Sequence, residues 1–305
     1  MAALSSVQLP SIEELSLRDS VRQRSGSLRH SVLVAIGLGT SISILVLLAV
    51  ILIKGIPAMN WAFVSSPPVE GMSAGGIWPM IRGSLLLMVG TLAFVLPIGI
   101  LSGIFLAEYA GHSRFGNIVR GCVMALAGTP SIIYGLFGLA VFVLTMKLGV
   151  SLLAGWLTVS LFALPMIVLT ADTAIRAVPD TLVDASLALG LSRWQTIWKV
   201  VLPNALPGII SGVVLMTGRA AGEAPPILFT AGIYYSTAQL TNDWSALKQP
   251  VANLPYHLAE GYRQGGVIPE KIIWGTCLTL MGMVLLINLG AILLRSRMRW
   301  KSSLN

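Results

Sequence analysis

Six stretches of this chain are long and apolar enough to cross a bilayer, and no other feature limits its fold as strongly. A helix rises about 1.5 Å per residue, so about 20 apolar residues span the ~30 Å hydrocarbon core. The stretches are residues 31–53, 84–107, 118–146, 151–170, 207–231 and 272–294. The second holds Pro97, the third is broken at Gly128-Thr129-Pro130, and the fifth holds Arg219 and Glu223. Of all residues 55% are hydrophobic and 10% are charged, against about 25% charged in a soluble domain. One aqueous core cannot hide that much apolar surface. The chain reads as a single polytopic all-α membrane domain. That excludes a soluble enzyme, a disordered tail and a secreted disulfide scaffold.

Lysine and arginine set the orientation, because membrane proteins keep them on the cytoplasmic side. One set of segments holds Arg18, Arg22, Arg24, Arg29, Arg114, Arg120, Arg176, Arg193, Lys199, Arg295, Arg297, Arg299 and Lys301. The opposite set holds only Lys54, Arg82, Lys147, Lys248, Arg263 and Lys271. Both termini and the 171–206 loop are therefore expected in the cytoplasm, with the 55–83 and 232–271 loops outside. The net charge of +8 has this membrane origin and does not call for nucleic acid. The short 147–150 connection makes spans three and four neighbours.

Much ordinary chemistry is missing. No lysine stands in a G-x-x-x-x-G-K-[ST] cradle, so ATP, if used, is bound by another subunit. Gly71-Met72-Ser73-Ala74-Gly75 matches G-x-S-x-G, which works only on a strand-to-helix elbow. After Pro67-Pro68, between two spans, it reads as a glycine loop. His30, His112 and His257 are far apart and fit no metal-ligand spacing; no metal or cofactor is expected. Cys122 and Cys277 sit in apolar runs as small buried hydrophobes. Residues 1–29 are polar, with no signal-like apolar segment.

The 180–203 segment is the most informative loop. Leu182, Ala185, Ala188 and Leu189 fall at helical spacing, and Gly190 fits a C′ cap. Ser192 and Gln195 form a capping box opening a second helix. Trp194, Ile197, Trp198 and Val201 lie at i, i+3, i+4 and i+7, one face of that helix, and Pro203 ends it. The stripe either lies on the membrane or on the chain's own helices, or docks into a groove of a soluble partner.

The fifth span carries an anomaly. A charge at mid-membrane costs about 2.5–3.5 kcal/mol on insertion scales. Arg219 and Glu223 share a helix face and can pair. Gly208/Gly212 and Gly218/Gly222 each form G-x-x-x-G, which allows close helix approach. Pro225-Pro226 breaks the helix and frees backbone groups that protein or water must satisfy. The pair either pins helices together or lines a path for an oxyanion, to which guanidinium offers a planar fork.

Several motifs match a known family. Asp184-Ala185-Ser186, Gly190, nine residues and then Val200-Val201-Leu202-Pro203 resembles the EAA loop of ABC importer permeases, with Asp for Glu, Ser for the second Ala and Val for Ile. Gly128-Thr129-Pro130-Ser131-Ile132-Ile133-Tyr134-Gly135 and Arg219-Ala220-Ala221-Gly222-Glu223-Ala224-Pro225-Pro226-Ile227-Leu228-Phe229-Thr230-Ala231 resemble the third- and fifth-span signatures of phosphate permeases. Ala224 stands for the usual Thr and Pro225 for the usual Ala. Gly75-Gly76-Ile77-Trp78-Pro79 and Leu106-Ala107-Glu108-Tyr109-Ala110 also agree. The tail of the fifth-span motif is similar to the A-type (PstA-like) permease subunit of phosphate-specific ABC importers.

The resemblance implies an all-α membrane protein of six transmembrane helices with the type I ABC importer permease (MetI-like) fold. Its parts would be a cytoplasmic tail (1–30), a first helix with an outward loop (31–83), a permease core (84–294) with a coupling loop at about 178–206, and a basic cytoplasmic tail (295–305). It implies a bacterial inner-membrane subunit without catalytic residues. Its partners would be a C-type phosphate permease subunit, an ATPase dimer, an extracytoplasmic phosphate-binding protein, phosphate and lipid. Arg219 and Glu223 would line the translocation path. Asp184, Ala185, Gly190, Trp194, Trp198, Leu202 and Pro203 would form the ATPase-coupling loop, and Pro130, Pro225 and Pro226 the helix breaks. The rivals are a permease for another oxyanion such as sulfate or molybdate, an ion channel, and a membrane-embedded enzyme.

Overall fold

The computed structural model describes residues 12–111, 113–233, 244–263 and 268–302. His112 and parts of the 232–271 loop lie outside the described residues. The chain divides into two units, Met1–Ile53 and Lys54–Asn305. The first is the body of helix α1 (Ile12–Gly55), which starts within the segment read as a polar tail. Thr40, Ser41 and Ser43 donate their hydroxyls to carbonyls four residues back, so these polar groups are satisfied inside the helix, as lipid requires.

The second unit begins with α2 (Trp61–Ser65) and a two-residue antiparallel pair, β1 (Pro68–Val69) with β2 (Ala74–Gly75). The G-x-S-x-G stretch forms this tight reversal, with Ser73 Oγ donating to the Glu70 carbonyl, and no elbow exists. Then come α3 (Trp78–Ile104), α4 (Arg114–Ala127), α5 (Ser131–Gly138) and α6 (Leu152–Arg176). The second span thus starts at Trp78, inside the expected loop. After these lie α7 (Asp180–Ala188), α8 (Arg193–Thr196), α9 (Leu202–Ala221), α10 (Pro225–Leu228), α11 (Leu254–Arg263) and α12 (Glu270–Ser302). Among the described residues five helices are long and apolar enough to cross a membrane, and six if the α4–α5 pair, bent by 95°, counts as one span.

Helix α6 is the centre of packing. Glycines let its neighbours reach it. A Cβ on Gly90 of α3 would meet the Trp156 ring, one on Gly99 would meet Ile167, and one on Gly103 would meet Ala171. Both series rise together, so α3 and α6 run parallel. On α9, Gly208 faces Ala174 and Gly212 faces Thr170, so α9 is antiparallel to α6. The first G-x-x-x-G is therefore a true packing face. The second divides: Gly218 faces Asn288 of α12, while Gly222 meets only its own backbone. Trp156 Nε1 donates to the Leu86 carbonyl at 2.9 Å and Ser160 Oγ to the Thr91 carbonyl at 3.2 Å, adding polar contacts between α6 and α3.

Two expectations change. Cys122 is exposed and Cys277 half-buried, because a membrane helix can turn an apolar face outward where its solvent is lipid. Pro203 does not end a helix. It lies in the first turn of α9, where no intrahelical N–H bond is needed, and α8 runs into α9 through a π turn at Ile197–Val201.

Replacing Gly212 with Ala should push α6 and α9 apart, since its Cβ would lie 1.9 Å from Thr170 Cγ2. The expected loss is about 1–3 kcal/mol, seen as a lower thermal midpoint in detergent. Gly222→Ala, whose nearest atom is 3.7 Å away, should leave that midpoint near the wild-type value.

Candidate functional site

The two helix breaks meet. After α4 the chain turns at Gly128-Thr129-Pro130, and Tyr134 donates its hydroxyl to the Leu126 carbonyl at 2.8 Å, satisfying a group at the turn. After α9 it turns at Gly222–Ala224, with Pro225 and Pro226 opening α10. Proline there lacks only an N–H that the first helical turn leaves unpaired anyway. The unusual Pro225 therefore fits its position. A Cβ on Gly135 would lie 2.6 Å from the Pro225 carbonyl, so the broken segments touch backbone to backbone. Thr230 donates to the Pro226 carbonyl at 2.8 Å and is fully buried.

Arg219 and Glu223 sit beside this junction. Arg219 Nε lies 3.7 Å from Glu223 Oε1, a charge pair longer than a hydrogen bond. The guanidinium carbon lies 5.0 Å from the centre of the Phe162 ring, a cation–π distance. Phe162 in turn meets Tyr134 edge-on at 5.7 Å. Its position is the eleventh in the 25 residues of α6, so Arg219 is level with the middle part of that helix, ~15 Å from its start and ~21 Å from its end. The Arg219 side chain is 47% exposed and that of Glu223 is 17% exposed. Sequence reasoning missed Phe162 and Tyr134 as partners, since one aromatic in an apolar run carries no signal.

The residues of the 180–203 loop come together in a separate corner. Helix α7 ends in a Schellman turn. Gly190 has φ +84°, its N–H donates to the Leu187 carbonyl and Leu191 N–H to the Ser186 carbonyl, the pattern a left-handed C′ glycine allows. The Ser192/Gln195 capping box is complete in both directions. Ser186 and Thr196 are buried, with their hydroxyls hydrogen-bonded at 2.9 Å. The serine that departs from the familiar motif thus ties α7 to α8.

The predicted tryptophan stripe splits. Ile197 and Val201 are buried against Ile104, Ala171, Ile175 and Val178. Trp194 and Trp198 remain exposed and stack edge-on at 5.5 Å. The π turn adds a residue per turn at this point and rotates the four out of one face. Asp184, Ala185, Leu189 and Pro203 are also exposed, and Leu202 half-buried. The result is an apolar and aromatic surface on a pinned two-helix corner.

A cluster that sequence reasoning overlooked lies nearby. Asp172, 7% exposed, pairs with Arg120 and Arg176, each at 2.9 Å. The i, i+4 spacing of Asp172 and Arg176 was a readable signal, but Arg120 is 52 residues away. Among the described residues no group of His, Cys, Asp or Glu could hold a metal.

Gly190→Leu should strain the left-handed turn by about 1–2 kcal/mol, while Gly190→Asn, which tolerates positive φ, should cost less. Limited proteolysis of the purified protein should cut the 180–203 segment faster in the leucine variant and near the wild-type rate in the asparagine one.

Comparison with known proteins assigns this architecture. The family model for the binding-protein-dependent transport system inner membrane component matches residues 96–299. A probable ABC transporter permease protein of Bacillus subtilis, YqgI, is 35% identical over 255 residues, covering 80% of this chain and 86% of its own length. The phosphate transport system permease protein PstA of Haemophilus influenzae is 36% identical over 212 residues, 68% of this chain and 72% of its own. A solved bacterial ABC transporter involved in alginate import shares the fold, with a TM-score of 0.63 at 16% identity, over 90% of this chain and 99% of its own. This chain belongs to the inner-membrane permease family of binding-protein-dependent ABC importers, and within it is PstA-like.

Proposed function

We propose that the chain is the A-type permease subunit of an importer that carries inorganic phosphate inward. ATP is hydrolysed by a separate ATPase dimer, a C-type permease completes the pore, and an extracytoplasmic binding protein delivers the anion. The observation that carries this reading is the Arg219 guanidinium, level with the middle of α6, half-exposed, and 3.7 Å from Glu223. Guanidinium is always charged and its planar fork matches phosphate. Glu223 offsets the charge when no anion is present, yet at this distance leaves the fork open to a passing ligand. The PstA relatives point the same way. With both termini and the 171–206 loop in the cytoplasm, as the lysine and arginine count expects, Trp194 and Trp198 face the ATPase.

Arg219→Gln together with Glu223→Gln removes both charges without stranding either, and apolar or neutral replacement of an ion pair is often tolerated structurally. The complex should assemble at normal yield and lose phosphate uptake in cells without other phosphate systems. Wild-type uptake would mean that the pair only packs helices. Uptake of sulfate in place of phosphate by the wild type would favour the other-oxyanion reading.

Trp198→Asp puts a charge on the exposed aromatic surface. Membrane insertion should be unchanged while the ATPase subunit no longer co-purifies. An unchanged ATPase yield would move the docking face elsewhere.

A further inference from the structure

The end of α3 is not α-helical. Phe105–Ala110 forms a π turn, followed by Gly111. Two sets of charged side chains grip it. From one side, Arg120 of α4 donates Nη2 to the Leu106 carbonyl at 2.5 Å and Nη1 to the Gly111 carbonyl at 2.8 Å. Its other contacts are Nε to Asp172 Oδ2 at 2.9 Å, Nη2 to Asp172 Oδ1 at 3.4 Å and Nη1 to Asn117 Oδ1 at 3.3 Å. All five guanidinium N–H donors can thus be engaged. Arg176 of α6 donates Nε to Asp172 Oδ1 at 2.9 Å, and Nη2 to the same Leu106 and Gly111 carbonyls at 3.1 Å each. From the other side, Arg193 of α8 donates Nη2 to the Glu108 carbonyl at 2.6 Å, and its guanidinium lies 5.8 Å from the Tyr109 ring centre.

Arg193 is the neighbour of Trp194, on the exposed aromatic surface. Asp172 is ten residues along α6 from Phe162, ~15 Å by helix rise, and Phe162 lies under Arg219. Arg120, with all five donors engaged, has none left for an anion, and it shares the Leu106 and Gly111 carbonyls with Arg176. We propose that Asp172 and Arg193 are positioning residues that make the Phe105–Ala110 turn a rigid joint, transmitting movement of the α7–α8 corner to α6 and hence to the Arg219 site. The alternative is that they only stabilise the fold. The inference rests on the reading of the chain as a subunit driven by a separate ATPase.

The test uses the complete importer in vesicles. The chain carries Cys122→Ala, Cys277→Ala and Met166→Cys, since Met166 lines the open groove between α6 and α9. Maleimide labelling is timed without nucleotide and with vanadate-trapped ATP. A site coupled to the ATPase should change its labelling rate about fivefold or more. The change should disappear in Asp172→Asn and in Arg193→Ala, scored in complexes that retain the ATPase subunit at wild-type yield, and return in part in Asp172→Glu. An undiminished change in both variants, or none in the parent, overturns the joint. If Asp172→Asn does not assemble, Arg193→Ala, on an exposed residue, decides alone. Phosphate uptake in the same vesicles is scored separately. A parent that labels as expected but moves no phosphate overturns the substrate reading and leaves the joint standing.

Discussion

Every backbone N–H and C=O inside a bilayer must be satisfied by protein, and this requirement governs the unusual parts of the molecule. The chain interrupts its helices at Pro130 and at Pro225-Pro226, the two segments touch backbone to backbone, and each also carries a hydroxyl bond to one of its own carbonyls. Gly135 brings α5 against the Pro225 carbonyl, the Tyr134 hydroxyl takes the Leu126 carbonyl, and Thr230 takes the Pro226 carbonyl. Non-helical backbone at membrane depth is tolerated only where protein or a lined cavity surrounds it. A junction of this kind is also a place where polar chemistry can exist in an apolar medium.

Helix α6 turns that local solution into an architecture. It is parallel to α3 and antiparallel to α9, and glycines on both partners meet it. Its residues from Trp156 to Arg176 supply, in order, the contact to α3, the ring under Arg219, the close approach to Gly212 and the carboxylate that holds two arginines. A rigid element that carries one charged site near its middle and another near its end suits a transporter, since packed elements shift as bodies and do not deform continuously.

The existence of the spans was legible because length and hydropathy decide it. So were the capping box, the Gly190 turn and the Arg219–Glu223 pair, all set by local spacing. The direction of the third span was not. Gly128-Thr129-Pro130 says that a helix stops, while the 95° bend depends on what α5 packs against. The tryptophan stripe misled for a related reason: a single π turn shifts register, and no side-chain pattern announces it. The role given to Pro203 failed because proline breaks a helix in its interior and not in its first turn. Arg120, Asp172 and Arg176 were each visible, but the sequence gives no distance between residues 52 apart.

The substrate is a different kind of question from the fold. A solved relative of the same architecture belongs to an alginate importer, so the helical frame alone does not choose a cargo. The proposed reading places that choice in polar groups of the kind found on α6 and α9. Thr170 and Thr173 each donate their hydroxyl to the carbonyl four residues back, so in this arrangement they can only accept further hydrogen bonds. An anion needs donors. At the Arg219 level, the guanidinium offers donors at a charge-pair distance from Glu223 and beside a ring face. On the proposed reading, that contrast between acceptor hydroxyls and a donor cation favours an oxyanion over a cation.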